Sequence, residues 1–275
     1  MNEKLFQQMI AKNTLVCCGL DPDLDKFPDE IQKKNLLDEA KISLFLKEVI
    51  KITNPFVCAY KIQKAFFDVY DGGHTVLKEI IHYVHSNFPN IPVLLDCKIG
   101  DIDNTMHAYA KNIFDILGAD GVVANIYMGA DAIEELIKYK SKTIVVLVKT
   151  SNASGSIIQD QILSNGQMLW EYVLDLLTSK YNRNENIIPV LSANAEFDAK
   201  SLRQKIPNNM PILLAGIGAQ GGNLQNLKDL LNNENIGVFI NSSRGILYGD
   251  KLNTWRTTVK ESVVALKKEI NEARK

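Results

Sequence analysis

The stretch Leu94-Leu95-Asp96-Cys97-Lys98-Ile99-Gly100-Asp101-Ile102 begins apolar and ends charged. The run from Pro92 to Leu95 has the character of a buried strand. A buried parallel strand is normally apolar from end to end. Asp96, Lys98 and Asp101, in the pattern Asp-x-Lys-x-x-Asp, therefore mark the point where the strand leaves the core. Two carboxylates beside one ammonium shift one another's pKa values, and such clusters concentrate at functional sites. The stretch is expected to be a strand whose C-terminal end carries chemistry.

Comparable apolar runs recur outward in both directions. The expected strands are residues 14–19, 56–61, 93–98, 121–125, 143–149, 187–192, 212–215 and 238–241. Segments with helical spacing separate them. One carries Val76, Leu77, Ile80, Ile81, Val84 and Phe88. Another carries Met106, Ala110, Ile113, Phe114 and Leu117, and the C-terminal one carries Val259, Val263, Leu266 and Ile270. Strands alternating with amphipathic helices imply βαβ units and a parallel sheet. Eight such units imply an α/β protein of the closed (β/α)8 barrel type, expected to occupy residues 1–275 as one domain.

Composition narrows the function classes. The chain has 275 residues, 46% hydrophobic and 23% charged, with a formal net charge of −1. A near-neutral chain has no bulk attraction for nucleic acid or an acidic membrane, so recognition of an anion must be local. Cys17, Cys18, Cys58 and Cys97 form no Cys-x-x-Cys pair and are expected to be free thiols in a reducing compartment. His82 and His85 are too few for a metal site and are expected on a solvated helix face. The N-terminus lacks a signal-peptide pattern, and no window approaches the roughly 20 apolar residues of a membrane span. The expectation is a soluble cytoplasmic protein.

Polar residues gather just after the strands. They are Asp21 after the first, Lys61 and Gln63 at the second, and Asp96, Lys98 and Asp101 at the third. Asn125 closes the fourth, Thr150-Ser151-Asn152 follow the fifth, and a glycine-rich run from Gly216 to Gly222 follows the seventh. Ser242-Ser243-Arg244-Gly245 follow the eighth. A barrel brings all these strand ends to one face. Glycines let backbone N–H groups approach an anion, and a guanidinium can take two phosphate oxygens. Phosphate sites in barrels are often built after strands seven and eight. Asn125 stays open between a turn residue and a site residue.

At these residues the chain resembles the orotidine 5′-phosphate decarboxylase family, in wording close to its longer bacterial branch. The signature is Asp96-x-Lys98-x-x-Asp101-Ile102-x-x-Thr105. Gly19-Leu20-Asp21-Pro22, Ala59-Tyr60-Lys61-Ile62-Gln63, Thr150-Ser151-Asn152, Gly218-Ala219-Gln220-Gly221-Gly222 and Asn241-Ser242-Ser243-Arg244-Gly245 accompany it in order. The resemblance implies decarboxylation of orotidine 5′-monophosphate to uridine 5′-monophosphate without cofactor or metal. Lys98 would stabilise and protonate C6, beside Asp96. Asp101 would complete a network of Lys61, Asp96, Lys98 and Asp101. Asp21 and Lys61 would contact the ribose, Ser151 the pyrimidine edge, and Gln220, Gly221, Gly222 and Arg244 the phosphate side. Asp101 and Thr105 would be donated across a homodimer interface. Two departures stand out: Ala153 and Ala215 occupy positions where proline is common, which should loosen the loops. The nearest alternative is a metal-dependent sugar-phosphate aldolase or synthase of the same barrel superfamily.

Overall fold

The structure, a computed structural model, describes residues 2–195, 197–217, 224–249 and 251–275. Eight strands form a ring: β1 (Val16–Gly19), β2 (Ala59–Gln63), β3 (Val93–Ile99), β4 (Gly121–Ala124), β5 (Thr143–Leu147), β6 (Ile187–Ser192), β7 (Ile212–Ala215) and β8 (Val238–Ser242). Each pairs in parallel with its neighbours in sequence, and β1 closes the barrel on β8 with Cys17 opposite Asn241. All eight expected strands are present. Their ends move where local chemistry intervenes. Thr14 lies before β1 because its hydroxyl is engaged, donating to the Phe56 carbonyl at 2.8 Å and accepting the Val16 N–H at 3.2 Å. Asn54-Pro55-Phe56 form a 3₁₀ turn instead of opening β2, as a proline at the first turn position favours.

Helices pack outside the ring as the spacing predicts. Gly73–Asn87 buries Val76, Leu77, Ile80, Ile81 and Val84. Trp255–Ala273 buries Trp255, Val259, Val263 and Ile270. Asp103–Ala110 buries Met106 and Ala110, then widens into a π-helical stretch, Lys111–Ile116, that buries Ile113 and Phe114. Burying each such large side chain contributes about 1.5–3 kcal/mol, so the stripes hold the helices on the ring. An aromatic cluster ties the last helix to the barrel mouth. Phe45 lies 4.2 Å from Phe27, 5.4 Å from Trp255 and 6.1 Å from Tyr248 between ring centroids.

The opposite end is closed by the helix Asn2–Lys12. Its Asn2 amide donates to the Glu185 carbonyl at 3.0 Å and accepts from the Thr143 hydroxyl at 2.7 Å. His85 departs from the solvated face expected for it. It is half-buried, 2.8 Å from Asp120, and that carboxylate also accepts the Val93 N–H at 2.9 Å. His82 remains exposed.

The seam between β1 and β8 has no spare room. A Cβ at Gly19 would lie 1.8 Å from Ser243 Oγ and 2.8 Å from Ser243 Cβ. Gly19→Ala should therefore push the seam apart and lower stability by about 1–3 kcal/mol, read as a drop in Tm.

Candidate active site

The third strand sets the geometry. Its register with β4 shifts between Asp96 and Ile99, and at that irregularity Lys98 adopts φ +46°. A side chain in the left-handed region costs about 1–3 kcal/mol and persists only where its surroundings impose it. The irregularity re-aims Lys98, as bulges beside active sites do. Lys98 Nζ donates to Asp96 Oδ1 at 2.8 Å. The other oxygen, Oδ2, lies 3.1 Å from Lys61 Nζ. Lys61 is also 4.0 Å from Asp21 Oδ1, and that oxygen accepts the Gln63 N–H at 3.1 Å. Asp96 and Lys61 are nearly inaccessible, while the Lys98 side chain is 48% exposed toward the cavity mouth.

Charge alternation decides the protonation states. Burial alone would raise the Asp96 pKa, but Lys61 and then Lys98 outweigh it and hold the carboxyl below the ordinary range. Burial alone would depress Lys61, but Asp21 and Asp96 outweigh it and hold its ammonium above its ordinary value. Both groups thus stay charged at neutral pH.

These side chains line a cavity of about 580 Å³ at the C-terminal ends of the strands. Val123, Leu147, Val190 and Leu213 give it an apolar floor. Ser151 and Arg244 stand on its walls, Arg244 at the head of the short helix Arg244–Leu247. The expected contributors Gln220, Gly221 and Gly222 lie outside the described residues. Side chains cross-link the loop after β5 that carries Ala153. Gln159 accepts the Thr150 N–H at 3.0 Å and donates to the Thr150 hydroxyl at 2.7 Å, and Asp160 pairs with buried Lys149. Asn125 settles as a turn residue, its amide oxygen accepting the Tyr127 N–H at 3.0 Å.

Asp101 and Thr105 stand elsewhere. The Asp101 carboxylate accepts the Ile102 N–H at 2.8 Å, and among the described residues no ion pair joins it to Lys98. Thr105 lines a separate cleft with Gln63, Cys97 and Tyr109. Within one chain, the fourth member of the network is therefore Asp21 and not Asp101. Sequence reasoning also missed Tyr248, Gln159 and Asp160. None lies in a motif, and only coordinates reveal their partners.

Fold and site together define an enzyme of the (β/α)8-barrel class, its charged groups gathered where the strands end. Comparison with known proteins narrows the class. The family model described as orotidine 5′-phosphate decarboxylase / HUMPS family matches residues 14–254, and the chain belongs to that family. A Cellvibrio japonicus protein named orotidine 5′-phosphate decarboxylase is 34% identical over 273 residues, covering 99% of this chain and 98% of its own. A Bordetella petrii protein of the same name is 33% identical over 273 residues, with the same coverage. The solved structure of Leishmania donovani OMP decarboxylase is 29% identical and superimposes with a TM-score of 0.82, covering 99% of this chain and 97% of that one.

The network has a signed pH signature. In the native protein the Asp96 pKa is below its unfolded value of about 3.9, so its contribution is present above that value and lost as pH falls through the folded pKa. Removing Lys61 leaves Asp96 buried with one cation fewer, and its pKa should rise. Lys61→Met should cost about 3–5 kcal/mol at neutral pH, as removing one member of a buried pair does. Measured by thermal unfolding, that deficit should shrink as pH falls and the raised carboxyl takes up a proton.

Proposed function

We propose that this protein decarboxylates orotidine 5′-monophosphate to uridine 5′-monophosphate and carbon dioxide, a step of pyrimidine nucleotide synthesis. The observation that carries the proposal is the Asp96 carboxylate shared between Lys61 and Lys98 at the mouth of the cavity. The family description covers two chemistries, and the curated relatives matched over nearly the whole chain bear the decarboxylase name.

The chemistry demanded is severe. The bond from C6 to the carboxylate carbon breaks heterolytically, carbon dioxide leaves, and the electron pair stays on a ring carbon that cannot delocalise it well. Lys98 faces the developing charge, stabilises it and gives C6 its proton; solvent then restores the ammonium. Enzymes lower barriers by about 8–23 kcal/mol, and this reaction calls for the upper part of that range. Asp96 lies beside the departing carboxylate and holds Lys98 aligned. Lys61 and Asp21 take the ribose hydroxyls, and Ser151 takes the pyrimidine edge. Arg244, with Gln220 and the Gly221 and Gly222 N–H groups, holds the phosphate. Asp101 and Thr105 reach the site of a second copy in a homodimer. In support, both sit off the chain's own cavity, beside the exposed side chains of Ile102 and Tyr109. No described helix is long and apolar enough to cross a membrane. The four free thiols, three of them buried, suit the cytoplasm.

An ultraviolet assay with orotidine 5′-monophosphate in the presence of EDTA tests the reading. Turnover should persist, and loss on chelation would point to the metal-dependent synthase chemistry instead. Lys98→Ala should reduce kcat more than about a thousandfold. Arg244→Ala should raise KM about a hundredfold with a smaller change in kcat, because the guanidinium anchors a group remote from C6. A flat KM with a collapsed kcat would overturn that division of labour.

A further inference from the structure

We infer that Tyr248 is a positioning residue, whose hydroxyl ties the arm bearing Arg244 to the loop bearing Asp21. Its Oη donates to the Asp21 carbonyl at 2.6 Å and accepts the Asp23 N–H at 2.7 Å. Both hydrogen-bonding functions of the phenol are therefore used on one loop. Its own N–H donates to the Arg244 carbonyl at 3.2 Å, closing the single turn that Arg244 begins. The ring lies nearly parallel to Phe45, with an interplanar angle of 6°, and Lys26 sits over it while pairing with Asp23 at 2.6 Å. Burial pushes the phenol pKa upward, so the donor stays protonated.

The tie matters because Asp21 belongs to the charge network. Its carboxylate is held by the Gln63 N–H and faces Lys61, which shares Asp96 with Lys98. One hydroxyl thus joins the β8 arm, which grips the phosphate end of the substrate in the proposed reaction, to the loop that supports the network. The packing of the ring is separable from this tie. Phenylalanine keeps the stack on Phe45 and removes only the oxygen, leaving the Asp21 carbonyl and the Asp23 N–H without that partner.

The inference rests on the proposed decarboxylation, and the test keeps the two apart. Wild-type protein that fails to turn over orotidine 5′-monophosphate sinks the reaction; an active wild type with an unaffected Tyr248→Phe variant sinks only the tie. Tyr248→Phe should raise KM about tenfold, with a smaller loss in kcat, as expected for one hydrogen-bonding group lost from a buried loop. The decisive readout is a double-mutant cycle with Asp21→Asn. If Tyr248 acts through Asp21, adding Tyr248→Phe to Asp21→Asn should lower kcat/KM less than about threefold further. Full additivity, or a lower Tm with unchanged KM, would make the tyrosine a packing residue and overturn the inference. Affinity for uridine 5′-monophosphate by calorimetry should show the same non-additivity without relying on turnover. Should phenylalanine at 248 prevent folding, site-specific 4-aminophenylalanine, whose amine is both a weaker donor and a poorer acceptor than the phenol, should give a smaller loss that is likewise absent in Asp21→Asn.

Discussion

A single carboxylate shared by two ammonium groups organises the mouth of this barrel. Asp96 is almost removed from water, and burying one isolated charge would cost several kcal/mol. It is tolerated because Lys61 and Lys98 occupy its two oxygens separately, and because Asp21 stands on the far side of Lys61. The alternation of sign keeps the buried pair Asp96 and Lys61 ionised where neutralisation would otherwise relieve the strain. Such a cluster adds little to stability in itself, since well-packed apolar groups of similar volume often do as well. Stability comes from the ring beneath it, where Val16, Leu94, Val122, Ile144 and Ile240 are fully buried. The site is an electrostatic arrangement mounted on an apolar scaffold, and its geometry is only as good as the strand ends that hold it.

The backbone shows what that mounting costs. Lys98 sits at φ +46° on a register shift, in a conformation a lysine does not choose. Its neighbour Gly100 is pressed so closely to β4 that an added Cβ would lie 2.4 Å from the Asn125 carbonyl oxygen. The Asn125 N–H in turn donates to the Ile99 carbonyl at 2.7 Å. Strain at Lys98, contact at Gly100 and the turn at Asn125 are one device. It ends β3 abruptly and swings the lysine inward within three residues.

Legibility followed the physics of burial. Parallel strands covered on both faces are continuous apolar runs, so all eight could be read from residue type alone. Their ends could not, because a threonine hydroxyl or a proline turn decides them locally. Asp96 and Lys98 were legible as charges in a run that should have none. Tyr248 and Gln159 were not. A tyrosine beside apolar neighbours gives no sign that its hydroxyl will bridge a loop some 225 positions earlier. The glutamine that clasps Thr150 sits on a short helix with no periodicity to mark it. Around Ala153, where proline is common, side-chain hydrogen bonds that no motif announces tie that loop.

Asp101 is the instructive case, since the family resemblance placed it in the network. A regular strand would set Asp101 about 10 Å beyond Lys98 and on the opposite face, and the chain does not bring it back. After the contact at Gly100 it turns outward, and Asp103–Ala110 begins on the outer wall, where Thr105 faces the cleft shared with Gln63 and Tyr109. The same irregularity that drives Lys98 into the cavity carries Asp101 away from it. If Asp101 and Thr105 serve a catalytic cavity, as the proposed homodimer requires, the chain's own backbone makes that cavity another copy's. Gln63 lines both the cavity and the cleft. It therefore stands on a wall common to the two, the side from which the proposed second copy would approach the charge network.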